Sequence, residues 1–189
     1  EVSGYQANQL YKTSTTDENG NKVLEFKNKL GNLVATINAS SSLRLTTKFD
    51  YDVLNRNTQV TDPRNLVSTY TYNTRGFLVQ KVTPDGGTWK YRYDLKGNLR
   101  FQQDAYQASV GSFTYQKYDS LNRVIEIGEI TATFNTVDST TRGNPALDYP
   151  VSGQTLRIKY VYDQNTTGDP QLSTAQNLLR RVFSVLTDN

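Results

Sequence analysis

Few kinds of side chain in this protein could do chemistry. Its 189 residues contain neither Cys nor His. That removes thiol nucleophiles, disulfides, zinc–thiolate centres and the imidazole that serves most acid–base and metal chemistry near neutral pH. Carboxylates, Lys, Tyr, Ser and Thr remain. A glycosidase would need two carboxylates at a short, fixed separation. Asp52, Asp94 and Asp119 instead fall at one equivalent place in successive repeats, which spreads them along the chain by about one hairpin each. Glu126 and Glu129 are three apart, which on a strand points them to opposite faces. The stretch DQNTTGD, beginning at Asp163, has the oxygen spacing of the first half of an EF-hand-like calcium loop. Its twelfth position is Thr174 where a bidentate Glu belongs, so it reads as a polar loop. Arg180-Arg181 would face opposite sides of a strand, and the triplets Asn38-Ala39-Ser40 and Asn165-Thr166-Thr167 match glycosylation acceptors that arise often by chance. The expectation is a chain without catalytic, metal-binding or cofactor-binding residues.

The elements that position these groups repeat. The unit [Asp/Asn]-x-x-[Gly/Asn] occurs at Asn28–Gly31, Asp52–Asn55, Asn73–Gly76, Asp94–Gly97 and Asp119–Asn122, in steps of 24, 21, 21 and 25 residues. A near-constant period of this size signals stacked supersecondary units. Aromatic residues two apart precede the unit, as Phe49 and Tyr51, Tyr70 and Tyr72, Tyr91 and Tyr93, with Tyr118 before Asp119 and Tyr160 and Tyr162 before Asp163. Residues two apart on a strand share a face, so each pair lays two rings on one surface of a sheet. These rings could stack sugars or bases, but their registration with the turns favours cross-strand packing. The Asp or Asn can bond to backbone two residues on, and the Gly or Asn three positions later can take the left-handed conformation that closes a bulged hairpin. A second strand follows, as in Leu78, Gln80 and Val82, and then another turn: Asp17-Glu18-Asn19-Gly20, Thr61-Asp62-Pro63-Arg64-Asn65 or Thr83-Pro84-Asp85-Gly86-Gly87. One period therefore predicts two strands and two turns. The segment AYQASVGS, between Asp104 and Phe113, reads as a small-residue loop, and 131–155 as an insertion or degenerate repeat on the surface.

The net charge of +3 comes from scattered basic residues, which leaves no electrostatic footprint for nucleic acid. No apolar run approaches the roughly 20 residues of a membrane span. The N-terminus lacks the basic and apolar regions of a signal peptide, so any export signal is expected outside this sequence. The last residues, LLRRVFSVLTDN, form a second strand and the start of its turn, which leads us to expect a piece of a longer chain.

The residues TYTYNTRGFLVQKVTPDGG and KYRYDLKGNL, with FDYDVLNR and QKYDSLNR, resemble the YD repeat of the Rhs repeat family. The match is strong over 49–129. Residues 1–48 look like the segment ahead of such repeats in very large exported proteins of the Bacteroidetes type, with Lys27 where the motif has Tyr. The resemblance implies a long β-ribbon that spirals into a hollow shell. In bacterial polymorphic toxins and Tc toxin complexes such a shell encloses a C-terminal toxin, and in teneurins a similar shell serves adhesion. No self-cleaving aspartate region of the family is present.

Together these readings give an all-β fold of tandem antiparallel β-hairpins forming part of a spiralling sheet or hollow β-shell. A lead-in segment with a degenerate first repeat spans 1–48, YD repeats 49–130, the insertion loop 131–155 and a further, incomplete repeat 156–189. The repeat motif itself is Tyr51, Asp52 and Asn55; Tyr70, Tyr72, Asn73 and Gly76; Tyr91, Tyr93, Asp94 and Gly97; Tyr118, Asp119 and Asn122; and Tyr160, Tyr162 and Asp163. The expected function is structural, a wall segment that helps encapsulate and deliver a toxin effector in a secreted or cell-surface bacterial protein used in competition between bacteria. Its expected partners are the rest of its own chain and an enclosed C-terminal domain, with secretion machinery or surface ligands beyond, and no nucleic acid or membrane span. The alternative is a teneurin-like or wall-associated protein for adhesion or glycan binding, with loops 104–113 and 131–155 making the contacts.

Overall fold

The computed structural model describes residues 2, 4–39, 44–136, 149–162 and the backbone of 182–187. Asp163 and the rest of the DQNTTGD stretch, Asn165 and Arg180-Arg181 lie outside the described residues. Alternation of β-branched and aromatic residues, broken by Asx and Gly turns, gives an all-β molecule. The strands are β1 (Tyr11–Thr16), β2 (Lys22–Lys27), β3 (Leu33–Asn38), β4 (Leu45–Tyr51), β5 (Asn57–Thr61) and β6 (Val67–Tyr72). They continue with β7 (Leu78–Thr83), β8 (Gly87–Tyr93), β9 (Leu99–Gln103), β10 (Ser112–Tyr118), β11 (Val124–Thr131), β12 (Gln154–Tyr162) and β13 (Val182–Thr187). Strand order follows chain order, the low-crossing topology that short hairpin connections impose. The chain divides into two compact units, Glu1–Thr71 with Lys81–Asp85 and Tyr72–Gln80 with Gly86–Asn189.

In the first unit the apolar residues of β2 and β3 bury Leu24, Val34, Ala35 and Ile37. In the second, β9, β10 and β11 supply Phe101, Phe113, Tyr115 and Ile130, covered by Phe134. The rings meet edge-on: Phe101 and Phe113 at 5.7 Å, Phe113 and Phe134 at 5.5 Å, and Phe101 and Tyr149 at 5.8 Å between centroids, the geometry the ring quadrupoles favour. The 131–155 connection therefore contributes core at both its described ends.

AYQASVGS departs from the loop expected there. Ala105–Val110 form a short helix, α1. Asp104 accepts from the Gln107 N–H while the Gln107 side chain accepts from the Asp104 N–H, a capping box, and Gly111 closes the other end in the left-handed conformation. The Asp-x-x-Gln spacing was the available signal.

Candidate functional site

The tyrosine positions fall at equivalent places. Tyr51, Tyr72, Tyr93, Tyr118 and Tyr162 are the last residues of β4, β6, β8, β10 and β12, and Lys27 is the last of β2. Tyr70, Tyr91 and Tyr160 lie two residues earlier on the same strands. After the turns at Tyr51 and Tyr118 the register skips one residue of the second strand. Tyr51 faces Asn57 while Asp50 faces Gln59, passing over Thr58, and Tyr118 faces Val124 while Lys117 faces Glu126, passing over Ile125. The same one-residue bulge appears at Lys27, Tyr93 and Tyr162.

The turns that begin at Asp or Asn share one geometry. In the Asp52 turn the Asp52 N–H donates to the Arg56 carbonyl and the Asn55 N–H to the Asp52 carbonyl, both at 3.0 Å. Asp52 Oδ1 accepts from the N–H groups of Leu54 and Arg56 at 2.9 and 3.0 Å. The pattern recurs at Asn28, Asn73, Asp94 and Asp119. It also closes the turns at Asp17 and Asp62, expected above as a separate kind of turn although Asp62-x-x-Asn65 has the same spacing. Position four of each turn has positive φ, +60° at Asn55, +62° at Asn122, +87° at Gly76 and +94° at Gly97, the region Gly and Asn reach at least cost. Gly97 is required twice over, since a Cβ there would meet the Phe77 ring at 2.8 Å.

Electrostatics follow from this closure. The Arg56 N–H, and then its guanidinium, hold Asp52 below the usual carboxylate range. At Asp119 burial pushes upward but is outweighed by the Arg123 N–H and guanidinium, the latter at 2.6 Å. Asp94 is fully buried, accepting from the N–H groups of Lys96 and Asn98 and from the Asn98 amide. These carboxylates are engaged by their own turns.

Neighbouring turns are stitched laterally by contacts that the sequence did not disclose. The Asn32 amide donates to Asn55 Oδ1 at 3.1 Å, and the Asn98 amide to Asn122 Oδ1 at 3.2 Å. Arg75 donates to the carbonyls of Asp94 and Leu95. The Tyr51 hydroxyl reaches the Leu33 carbonyl at 2.9 Å, and the Tyr118 hydroxyl reaches the Leu99 carbonyl at 2.8 Å. Tyr93 stacks on Phe77 at 4.9 Å, and Tyr160 on Tyr162 at 6.4 Å with Arg123 over the Tyr162 ring. Glu126 and Glu129 have separate neighbourhoods. Glu126 accepts from the Tyr115 hydroxyl at 2.6 Å beside Lys117, and Glu129 from Ser112, Gln107 and Arg157. Among the described residues no group of three or more acidic side chains is placed to hold a metal ion. No described helix is long and apolar enough to cross a membrane.

Comparison with solved structures places this architecture. TcdB2-TccC3 superposes with a TM-score of 0.57 at 15% identity, covering 82% of this chain and 8% of that one. The TcdB2-TccC3-Cdc42 structure gives 0.56 at 14%, covering 80% and 8%. The Tc holotoxin pore of Photorhabdus luminescens, carrying TccC3-D651A, gives 0.53 at 12%, covering 78% and 7%. At such identities the likeness is one of fold, and the chain spans less than a tenth of each of these proteins. No curated protein matches it significantly. The teneurin YD-shell family model matches residues 4–167, and the chain accordingly belongs to the teneurin YD-shell family, as an Rhs/YD-repeat β-shell segment.

Proposed function

We propose that this segment is a wall element of a β-shell that encloses a C-terminal toxin effector and assists its delivery, in a large bacterial protein that is secreted or held at the cell surface and acts in competition between bacteria. The observation that carries this reading is the common closure of the hairpins. Asp52, Asp94, Asp119, Tyr51 and Tyr118, which could have done chemistry, are engaged in backbone contacts of their own or the adjacent turn. Family membership and the likeness to TcdB2-TccC3 support it. The mechanism is mechanical, and the segment itself catalyses nothing. Each hairpin hides its backbone groups against the next, and a wall so built keeps cargo from solvent and protease. On this reading 1–48 is a lead-in segment with a degenerate first repeat, 49–130 are YD repeats of the wall, 131–155 is an insertion loop and 156–189 a further, incomplete repeat, and the repeat-motif residues are architectural. The partners are the remainder of the chain and its enclosed domain.

The test uses the intact parent protein. Its C-terminal domain should resist protease, and opening the wall with Asp94→Pro should make that domain digestible at much lower protease concentrations. Equal digestion of both proteins would contradict the proposal.

A further inference from the structure

One cleft is not absorbed by the wall. It lies between α1, the end of β11 and the start of β12, with a volume of about 390 Å3, within the ~300–1,000 Å3 range of small-molecule sites. Glu129 lines it, fixed by three elements: the Ser112 hydroxyl donates at 2.7 Å, the Gln107 amide at 3.3 Å and Arg157 at 3.3 Å. The Ser112 hydroxyl, against burial, and then Arg157 and Gln107 hold the carboxyl below its ordinary range, so it stays an acceptor at neutral pH. Tyr106 and Val110, one helical turn apart on α1, form one wall, and the tyrosine is 73% exposed. Thr131 and Thr155 add open hydroxyls at the rim.

Two features show that the cleft is built. The β11–β12 register skips Arg157, since Ile127 faces Ile158 while Gly128 faces Leu156, and bulges re-aim side chains beside functional sites. Opposite the bulge, Gly128 admits the approach of β12, because a Cβ there would meet the Thr155 carbonyl oxygen and the Tyr115 hydroxyl at 2.5 Å. Anchoring α1 to the sheet accounts for Ser112 and Gln107, but it uses neither the exposed tyrosine nor the free donors of the guanidinium fork.

We infer that this cleft is a subsite for a neutral pyranose sugar. The apolar CH face of such a ring packs on an aromatic plane. Vicinal hydroxyls match planar, multidentate groups such as the Glu129 carboxylate and the Arg157 guanidinium. These two charges cancel, which disfavours strongly ionic ligands. The site stands whether the surrounding shell encloses cargo or presents a surface, so its failure would leave the wall proposal untouched.

Saturation-transfer NMR on the full chain with maltotriose, cellotriose and chitotriose tests it. At least one should receive transfer, with a Kd of about 1 mM or tighter. Tyr106→Ala should weaken that binding about tenfold or more, Tyr106→Phe should keep it within about threefold, and Arg157→Met should also weaken it. Tyr106 projects from the surface, so its variants leave the core intact. Absence of transfer to all three sugars, transfer that Tyr106→Ala leaves unchanged, or displacement of the sugar only by peptide from outside this cleft would overturn the inference.

Discussion

The hairpins that turn after the tyrosine position and those that turn at Asp17 and Asp62, at the other end of the strands, close alike and then diverge. Asp52 and Asp62 make the same two backbone contacts through Oδ1 and place Asn in the left-handed region three residues later. Beyond Asp62 the register runs on unbroken, Thr61 to Val67 and Val60 to Ser68. Beyond Asp52 it skips Thr58. The β1–β2 and β3–β4 pairs are likewise unbroken, while those at Lys27, Tyr93 and Tyr118 skip. Turn closure and strand bending are therefore separate devices. The Asx side chain supplies the first, and an extra residue supplies the second, buried as Val34 or Arg100 in two cases. A bulge bends its strand and increases local twist, so the pairs at Lys27, Tyr51, Tyr93 and Tyr118 carry a local bend that the unbroken pairs lack.

The exception, the β11–β12 bulge away from any described turn, should be the most fragile point. Gly128→Ala is expected to cost about 3 kcal/mol or more in urea unfolding, because the new methyl meets a backbone oxygen that cannot rotate away. Next, Asp94→Ala should cost about 2 kcal/mol, since it removes the buried carboxylate that accepts from the N–H groups of Lys96 and Asn98 and from the Asn98 amide. Asp62→Ala, the same substitution in an unbulged turn with Arg64 largely exposed, should cost clearly less.

Acid should act on both kinds of turn together. Asp17, Asp52, Asp62 and Asp119 have folded pKa values below their unfolded ones. Their contribution is present above the unfolded value of about 3.9 and is lost as pH falls through the folded value. The urea midpoint should hold from neutrality to about pH 5 and drop below about pH 4, and Asp119→Asn should flatten that drop. Smaller effects separate turn residue from tyrosine. Asn55→Ala should cost about 1 kcal/mol through its positive φ, with Asn55→Gly near neutral. Tyr118→Phe should cost about 1 kcal/mol for the bond to the Leu99 carbonyl, whereas Tyr93, held by stacking on Phe77, should tolerate loss of its hydroxyl.

The strands and turns were legible because their signals are local: alternation of rings before the turn, Asx at its start and Gly or Asn at its fourth position. The capping box of α1 was equally local, but Ala, Ser and Gly around it suggested a loop. The bulges were half legible. Leu33-Val34 and Val124-Ile125 break the period-two pattern just after a turn, while Asn57-Thr58 and Leu99-Arg100 give no hint. The Glu129 cleft was not legible, because Ser112, Gln107 and Arg157 are brought together across three elements by pairing register. That register depends on Gly128, a residue whose role appears only when β12 lies against it.

A solution map of cross-strand backbone proton contacts, Hα–Hα at one pair and amide–amide at the next, would test the division between closure and bending most directly. Contacts should run Tyr51–Asn57 then Asp50–Gln59, skipping Thr58, and Tyr118–Val124 then Lys117–Glu126, skipping Ile125, with Thr61–Val67 followed by Val60–Ser68 and no skip. An unbroken register after the tyrosine positions, or a skip at both ends of the hairpins, would contradict it.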